Sequence, residues 1–338
     1  MNEYARISLE HFKKAKKLVT DYFSMEADKF LGHYFKGRNK ILELATSEHS
    51  WKRIVEDLHN RAQEQIVQAP PEQNLLVLAG PGSGKSKVII HRCAYLMRVK
   101  QISPSRIMLL CYNHNAAMSL RRRLTELLGR DGARVSVFTF HGLAMSLTGN
   151  AVQNRTSDDI DFTTIIDDAI KLLRGEQNQL GLELEEQRER LLGGLQFLLV
   201  DEYQDIDEQQ YQLIAALVGK SEEDEEARLH LMAVGDDDQS IYAFRDANVS
   251  FIRRFEQDYN AQTHFLTWNY RSTAHIIETS NRLIEHNQDR MKRTHPIEID
   301  DRRKMEVAGG HWEGMETAHR VASSSSSARM QPNRQPRS

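Results

Sequence analysis

The residues of this chain best suited to chemistry stand in one run, Ala79-Gly80-Pro81-Gly82-Ser83-Gly84-Lys85-Ser86. A turn of this glycine content can approach a ligand closely and point backbone N–H groups at anionic oxygens, and a helix opening behind it adds favourable potential. In that reading Gly80, Pro81, Gly82, Ser83 and Gly84 form a phosphate cradle, Lys85 neutralises β- and γ-phosphates, and the Ser86 hydroxyl coordinates Mg²⁺. The first position is Ala79, where the strict pattern has glycine. A glycine-rich turn with a chance lysine is the competing reading. The flanks argue against it, because apolar Leu75 to Leu78 precedes the run and helix-prone Lys87 to Met97 follows. Strand, turn and helix in that order predict a nucleoside triphosphate site.

Further stretches carry groups of the right kind. Leu198-Leu199-Val200-Asp201-Glu202 reads as an apolar strand ending in adjacent carboxylates. Ligands of open α/β sheets bind at that edge, so Asp201 is placed to hold Mg²⁺ and Glu202 to orient and deprotonate an attacking water. Alone, such a pair would read as a solvated loop; the phosphate turn makes it a site. Val234-Gly235-Asp236-Asp237-Asp238-Gln239-Ser240-Ile241-Tyr242 sets aspartates side by side, which repel unless solvated or near a cation. Gln239 is a neutral donor and acceptor suited to sensing a γ-phosphate there. In Trp268-Asn269-Tyr270-Arg271-Ser272, Arg271 reads either as a surface residue or as a finger on the transferred phosphoryl group.

These groups need a scaffold. The chain has 338 residues, 40% of them hydrophobic, enough for a sizeable core. Candidate strands are Leu75–Ala79, Ile107–Cys111, Val135–Phe138, Phe197–Val200, Leu229–Val234 and His264–Leu266. Helical patterns fall between most of them, which predicts an α/β fold with a largely parallel sheet. From about Ala144 to Leu195 the alternation breaks: Phe162, Ile165, Ile166, Ala169, Ile170 and Leu173 recur at helical spacing, and Glu183 to Leu192 is charged and helix-prone. We read a helical insertion there. Residues 1–58 read as a helical extension in which Leu9, Phe12, Val19 and Tyr22 share a face and Lys13, Lys14, Lys16 and Lys17 form a solvated one. The serine run Ser323 to Ser327 and the polar segment to Ser338 cannot build a core and are expected to be disordered.

Charge excludes little. With 45 basic and 48 acidic residues the net charge is −3, and a local basic patch can still serve nucleic acid. Arg121-Arg122-Arg123 reads equally as a solvated helix face or as a phosphate-facing one. Cys93 and Cys111 have no zinc-like spacing and suit a reduced compartment, and neither a signal sequence nor a membrane span is evident, so a cytoplasmic location with no membrane partner is expected.

Taken in order from about Asn60 to Asn287, these motifs resemble the UvrD/Rep/PcrA-like superfamily 1 DNA helicases. Asn60 and Gln63 match the Q-motif, Ile107 to Leu124 motif Ia, Val137 to Leu143 the Thr-Phe-His-Gly element, Val200 to Asp205 motif II, Gly235 to Ala247 motif III, and Asn269 to Ser272 motif IV. The resemblance implies a P-loop NTPase (RecA-like) sheet over residues 59–298 and ATP with Mg²⁺ as cofactors. It implies DNA-stimulated ATP hydrolysis coupled to 3′-to-5′ translocation on single-stranded or partly duplex DNA, in replication or repair. By the same resemblance Gln63 reads adenine, Tyr270 stacks on it, and Arg271 contacts the γ-phosphate. Lys87 stands where an arginine is usual near the base, and an ammonium cannot stack as a guanidinium does. The DNA-facing positions implied are Tyr112, His141, Tyr242, Phe244 and Arg245, with Phe244 replacing a usual tryptophan. Read without the family, each aromatic belongs more readily in a core than on a base. Cys111-Tyr112-Asn113-His114-Asn115 departs from the usual Thr-Phe-Thr-Asn-Lys, keeping an aromatic at Tyr112 and losing the threonine and the lysine that serve DNA phosphate contacts there.

The family's second RecA-like lobe, with motifs V and VI, is not matched. Residues 299–322 read as its incomplete start, with a strand over Lys304–Ala308 and a helix over Trp312–Ala322. The expectation is therefore a truncated chain, with a separate chain or domain to supply the second lobe. An ATP- and single-stranded-DNA-binding module without autonomous unwinding is the alternative to the enzyme. A P-loop kinase or transporter ATPase would leave the Q-motif and motif III matches unexplained.

Overall fold

Six apolar runs become the strands of one parallel sheet: β1 (Leu75–Ala79), β2 (Ile107–Cys111), β3 (Ser136–Thr139), β4 (Phe197–Val200), β5 (His230–Gly235) and β6 (Gln262–Leu266). The computed structural model describes residues 12–25, 27–34, 48–152, 164–177, 184–219, 228–241 and 247–300. The strands are ordered β3-β2-β4-β5-β1-β6, and every pairing is parallel. Burial on both faces explains why β1, β2 and β4 are continuous apolar runs rather than alternating ones. The edge strand β6 opens on exposed Gln262 and starts earlier than its apolar part suggested.

Between and around the strands lie α1 (Phe12–Ser24), α2 (Ala27–Tyr34), α3 (Glu48–Ile54), α4 (Arg61–Gln68), α5 (Lys85–Arg98) and α6 (His114–Leu128). They are followed by α7 (Phe140–Val152), α8 (Ile165–Leu173), α9 (Leu184–Leu192), α10 (Glu208–Val218), α11 (Ser250–Tyr259) and α12 (Ala274–Ile284). One sheet face, with Leu75, Val77, Leu109, Leu199 and Val234, shares a core with Ile66 and Val67 of α4, Val88, Ile89, Cys93 and Leu96 of α5, and Leu120 and Leu124 of α6. Cys93 and Cys111 are buried thiols, and burial is the first cause pushing each up to about 12.

Arg92 of α5 is a buried cation with a structural task. Its guanidinium donates to the carbonyls of Val67 (3.0 Å), Ala69 (2.5 Å) and Pro70 (2.9 Å), the end of α4 and the turn beyond it. Those carbonyls have no partner inside the helix, so the cation both satisfies them and complements the helix dipole. Arg188 of α9 repeats the device, donating to Ala216 (2.5 Å) and Leu217 (2.6 Å) near the end of α10.

The helical interruption between β3 and β4 is present as α7, α8 and α9, with Ile165, Ile166, Ala169, Ile170 and Leu173 buried as their spacing suggested. It begins at Phe140, earlier than Ala144, because buried Phe140 and Leu143 already anchor α7. At the N-terminus the helical reading holds for α1, α2 and α3, and among the described side chains of α1 the buried one is Leu18. Tyr22, placed on the apolar face, is 63% exposed and meets Phe23 and Phe30 through ring edges. Phe162, Leu9 and residues 301–338, which include the strand and helix expected after Asp300 and the serine-rich tail, lie outside the described residues.

The chain divides into two compact units, Met1–Ala79 with Lys85–Leu266, and Gly80–Gly84 with Thr267–Ser338. In the second, the short strands β7 (Trp268–Asn269) and β8 (Glu298–Ile299) pair in parallel, an element no apolar run announced. Among the described residues no helix is long and apolar enough to cross a membrane.

Candidate functional site

Strand order brings the polar motifs of the first unit together. Because β4, β5 and β1 are neighbours, their C-terminal ends lie side by side, where parallel sheets place ligands. Lys85 opens α5, after the turn that follows β1; Asp201 and Glu202 follow β4; Asp236 to Gln239 follow β5.

The Lys85 ammonium donates to Glu202 Oε2 at 2.9 Å and to Gln239 Oε1 at 3.4 Å. Gln239 Nε2 donates to Asp236 Oδ2 at 2.5 Å, and the Asp236 backbone N–H donates to Gln204 Oε1 at 3.0 Å. Gln204 Nε2 returns to Glu202 Oε2 at 2.9 Å, closing a circuit of five residues. Glu202 holds its place in an unusual backbone state, φ +53° and ψ +48°. This left-handed region is costly for a residue with a Cβ and is retained where the surroundings enforce it.

Asp201, next to Glu202 in the chain, is buried and accepts a hydrogen bond from the Ser86 hydroxyl. Burial is the first cause raising its carboxyl to about 6, and the neighbouring Glu202 charge adds to it, while Lys85 opposes. Asp205 is likewise raised to about 6 by burial and then by Glu202. A hydroxyl and a carboxylate in contact are a donor set that suits a hard divalent cation, which would relieve the unfavourable burial of the Asp201 charge. Of the aspartates after β5, Asp236 is fully buried, its carboxylate accepting from the Asp238 N–H (3.1 Å) and from Gln239. Carboxylate oxygens of Asp236, Asp237 and Asp238 lie within 4.8 Å of one another, close enough to share a cation.

The second unit contains the glycine turn and the segment after β6. Gly82 has φ +71°, and a Cβ there would come within 2.8 Å of both Arg271 Cβ and Asn269 Nδ2. Asn269 organises this region: its amide donates to the Pro81 carbonyl at 2.5 Å and its oxygen accepts from the N–H groups of Arg271 (2.8 Å) and Ser272 (2.7 Å). The Tyr270 N–H donates to the Gly82 carbonyl at 2.9 Å, and Ser83 Oγ to the Gly80 carbonyl at 2.7 Å. Tyr270 is half-buried and Arg271 exposed beside that turn.

Other expected site residues are placed as follows. Gln63 is buried in α4, whose N-cap Asn60 accepts from the Gln63 N–H at 3.0 Å. Lys87 donates to the Asp57 carbonyl at 3.3 Å. Tyr112, half-buried, and His141, exposed, follow the paired ends Cys111 and Thr139 of β2 and β3. Asn113, at a position departing from the usual motif Ia, caps α6 by accepting from the Ala116 N–H at 2.9 Å. Of the arginine run, Arg121 donates to the Val137 carbonyl and Arg122 pairs with Glu126 on the same exposed face. Tyr242, Phe244 and Arg245 lie outside the described residues.

Gln204 and Asn269 were within quoted motifs but had no role in the sequence reading. An amide beside Glu202 and Asp205 in Asp-Glu-Tyr-Gln-Asp was a signal for the first, and an asparagine opening a turn after a strand for the second.

A family model described as an AAA domain matches residues 62–245. The chain belongs to that family. The AAA domain match spans α4 to the turn after β5, so it includes every member of the Lys85 circuit. DNA helicase II of Escherichia coli (strain K12) is 31% identical, over 70% of this chain and 42% of the relative. ATP-dependent DNA helicase PcrA of Staphylococcus epidermidis is 28% identical, over 68% of this chain and 40% of the relative. Both are of the UvrD/PcrA kind that the motif order resembles, and the recognition made from the motifs stands. The chain thus spans about two fifths of the length of these curated relatives. The crystal structure of Pif1 helicase from Candida albicans aligns with a TM-score of 0.36 at 16% identity, covering 61% of this chain and 39% of that one.

Proposed function

We propose that this chain binds ATP with Mg²⁺ and hydrolyses it in response to single-stranded DNA, as the motor portion of a DNA helicase of the UvrD/PcrA kind. The observation that supports this most directly is the circuit of Lys85, Glu202 and Gln239 together with the Ser86–Asp201 contact. Mg²⁺ would be held by Ser86 and Asp201 and would neutralise charge on the phosphates. The glycine turn, Gly80 to Gly84, offers its N–H groups to phosphate oxygens. Lys85 exchanges its carboxylate partner for a phosphate, which leaves Glu202 able to orient and deprotonate water. Gln239, reached by Lys85 and anchored on Asp236, reports the state of that end of the site. Gln63 and Tyr270 recognise adenine, and Lys87, occupied by the Asp57 carbonyl, contributes less to the base than an arginine would. Arg271 stabilises charge on the transferred group.

DNA contacts are proposed for Tyr112 and His141 at the ends of β2 and β3, with Tyr242, Phe244 and Arg245 completing them; aromatic faces stack on bases without sequence preference. Residues 59–298 form the ATP-binding domain of this reading, with the insertion at about 144–195. The 3′-to-5′ direction is the one the family resemblance implies. The test is steady-state ATP hydrolysis with and without single-stranded DNA, followed by strand displacement on 3′- and 5′-tailed duplexes. DNA-stimulated turnover with displacement from the 3′ tail supports the proposal. Turnover without displacement reduces it to a DNA-dependent ATPase, and binding of both ligands without turnover makes the chain a binding module.

A further inference from the structure

We infer that Gln204 is a positioning residue for hydrolysis, fixing the Glu202 carboxylate and tying it to the turn that carries Gln239; this rests on the reading of Glu202 as the base. Gln204 is 2% exposed, and its side-chain amide meets three different residues. Nε2 donates to Glu202 Oε2 at 2.9 Å and to Asp205 Oδ2 at 3.1 Å, and Oε1 accepts from the Asp236 N–H at 3.0 Å. Rotating such a buried amide would leave a backbone donor and a carboxylate unsatisfied, so its orientation is set.

Two further observations converge on the same amide. Gly235 has no Cβ, and one placed there would come within 2.8 Å of Gln204 Oε1 and 2.7 Å of Ile252 Cδ1. The glycine before Asp236 therefore leaves the room the amide occupies. Glu202 sits at φ +53°, a state maintained only by its surroundings, and Gln204 grips the tip of its side chain.

The division of labour follows from one atom. Glu202 Oε2 accepts from both Lys85 and Gln204, each at 2.9 Å. When Lys85 is drawn to a phosphate, that oxygen loses its cation, and Gln204 still holds it. Lys85 is the exchangeable partner and Gln204 the fixed one. Through Asp236, whose carboxylate binds Gln239 at 2.5 Å, the same amide sets the distance between the water-activating carboxylate and the γ-phosphate sensor. Gln204 acts through these neighbours.

The test compares kcat and KM for ATP, with Mg²⁺ and saturating single-stranded DNA, in the full wild-type chain, Gln204→Met, Gln204→Glu and Glu202→Gln. Gln204→Met keeps the length and removes the amide. Gln204→Glu keeps an acceptor for the Asp236 N–H and replaces the donor to Glu202 by an oxygen. Both are expected to lower kcat about tenfold or more while KM changes less than about threefold, the signature of an interaction used in the transition state. Gln204→Glu is the more severe of the two, because it adds a carboxylate beside Glu202. Should Gln204→Met not fold, Gln204→Asn keeps the amide but draws it one methylene back, and the same fall in kcat with retained KM is expected. Variants with kcat within about twofold of wild type, beside an inactive Glu202→Gln, overturn the inference and leave the reading of Glu202 intact. A Glu202→Gln chain as active as wild type, or a wild type without turnover, overturns that reading and the inference with it.

Discussion

Two cations of α5, seven residues apart in sequence, are both withdrawn from water, and they are held in opposite ways. Arg92 gives its hydrogen bonds to backbone carbonyls at the end of α4 and the turn beyond it. Burial lowers its pKa to about 10, which leaves it charged at neutral pH. Lys85 gives its hydrogen bonds to side chains, Glu202 and Gln239, which have other partners in Gln204 and Asp236. A backbone carbonyl at a helix end cannot turn away, so Arg92 is bound to the fold. The Glu202 carboxylate is 36% exposed and held by a second donor, so in the function proposed above it gives up its cation and Lys85 turns to a phosphate. Burial alone does not distinguish the two cations; the kind of partner, backbone carbonyl or side chain, does.

The sharpest way to break this contrast is to neutralise Glu202. Glu202→Gln is expected to lower DNA-stimulated ATP turnover by about 10²–10⁴-fold, as loss of a general base does, with urea midpoints close to wild type. A variant that instead unfolds would place Glu202 with the structural group. Arg92→Met should do the reverse. Removing the cation leaves buried carbonyls unsatisfied and is expected to cost about 3 kcal/mol in urea denaturation, with ATP affinity unchanged where the chain is folded.

Proton linkage sharpens the comparison from the acidic side. Asp201 titrates at about 6 against an ordinary 3.8, so between those values the folded chain binds more protons than the unfolded one. Stability due to this group therefore falls as pH rises through that window and stays reduced above it. Asp201→Asn removes the penalty, and its stability relative to wild type should grow by about 2 kcal/mol between pH 4 and pH 7, then level off. Denaturation curves at several pH values would show this. A constant difference would mean that the protein's own groups already compensate the Asp201 charge. The smallest effect is expected at Lys87, a half-buried cation that donates to the Asp57 carbonyl. Lys87→Ala should change stability by less than about 1 kcal/mol, since the contacts of an ammonium within reach of water are worth little net. A loss as large as that of Arg92→Met would show that backbone partnership, and not burial with it, fixes a cation.

Much of the scaffold was legible because parallel strands buried on both faces must be continuous apolar runs. Leu75–Ala79, Ile107–Cys111 and Phe197–Val200 were read with the bounds they have. Legibility fell where that rule fails: at the polar start of edge strand β6, and at β7 and β8, whose pairing is two residues long. Of the site, the residues that would meet phosphate and metal were visible as motifs, because their chemistry demands fixed types at fixed spacing. The residues that hold them were not. Arg92 reaches 22 to 25 residues back along the chain, Gln204 bonds Asp236 across 32, and Asn269 bonds Pro81 across 188. No local periodicity carries contacts of that range. The left-handed state of Glu202 was equally hidden, since glutamate has no local preference for it.

The central claim is that Lys85 is held ready for a phosphate. Its most direct test is equilibrium binding of ATP with Mg²⁺ by titration calorimetry, wild type against Lys85→Ala, with both chains confirmed folded by urea denaturation. Saturable one-to-one binding that weakens by about tenfold or more in Lys85→Ala, a loss of at least about 1.4 kcal/mol, is the predicted result. Equal affinities in the two chains would contradict it, and would return Lys85 to the company of Arg92.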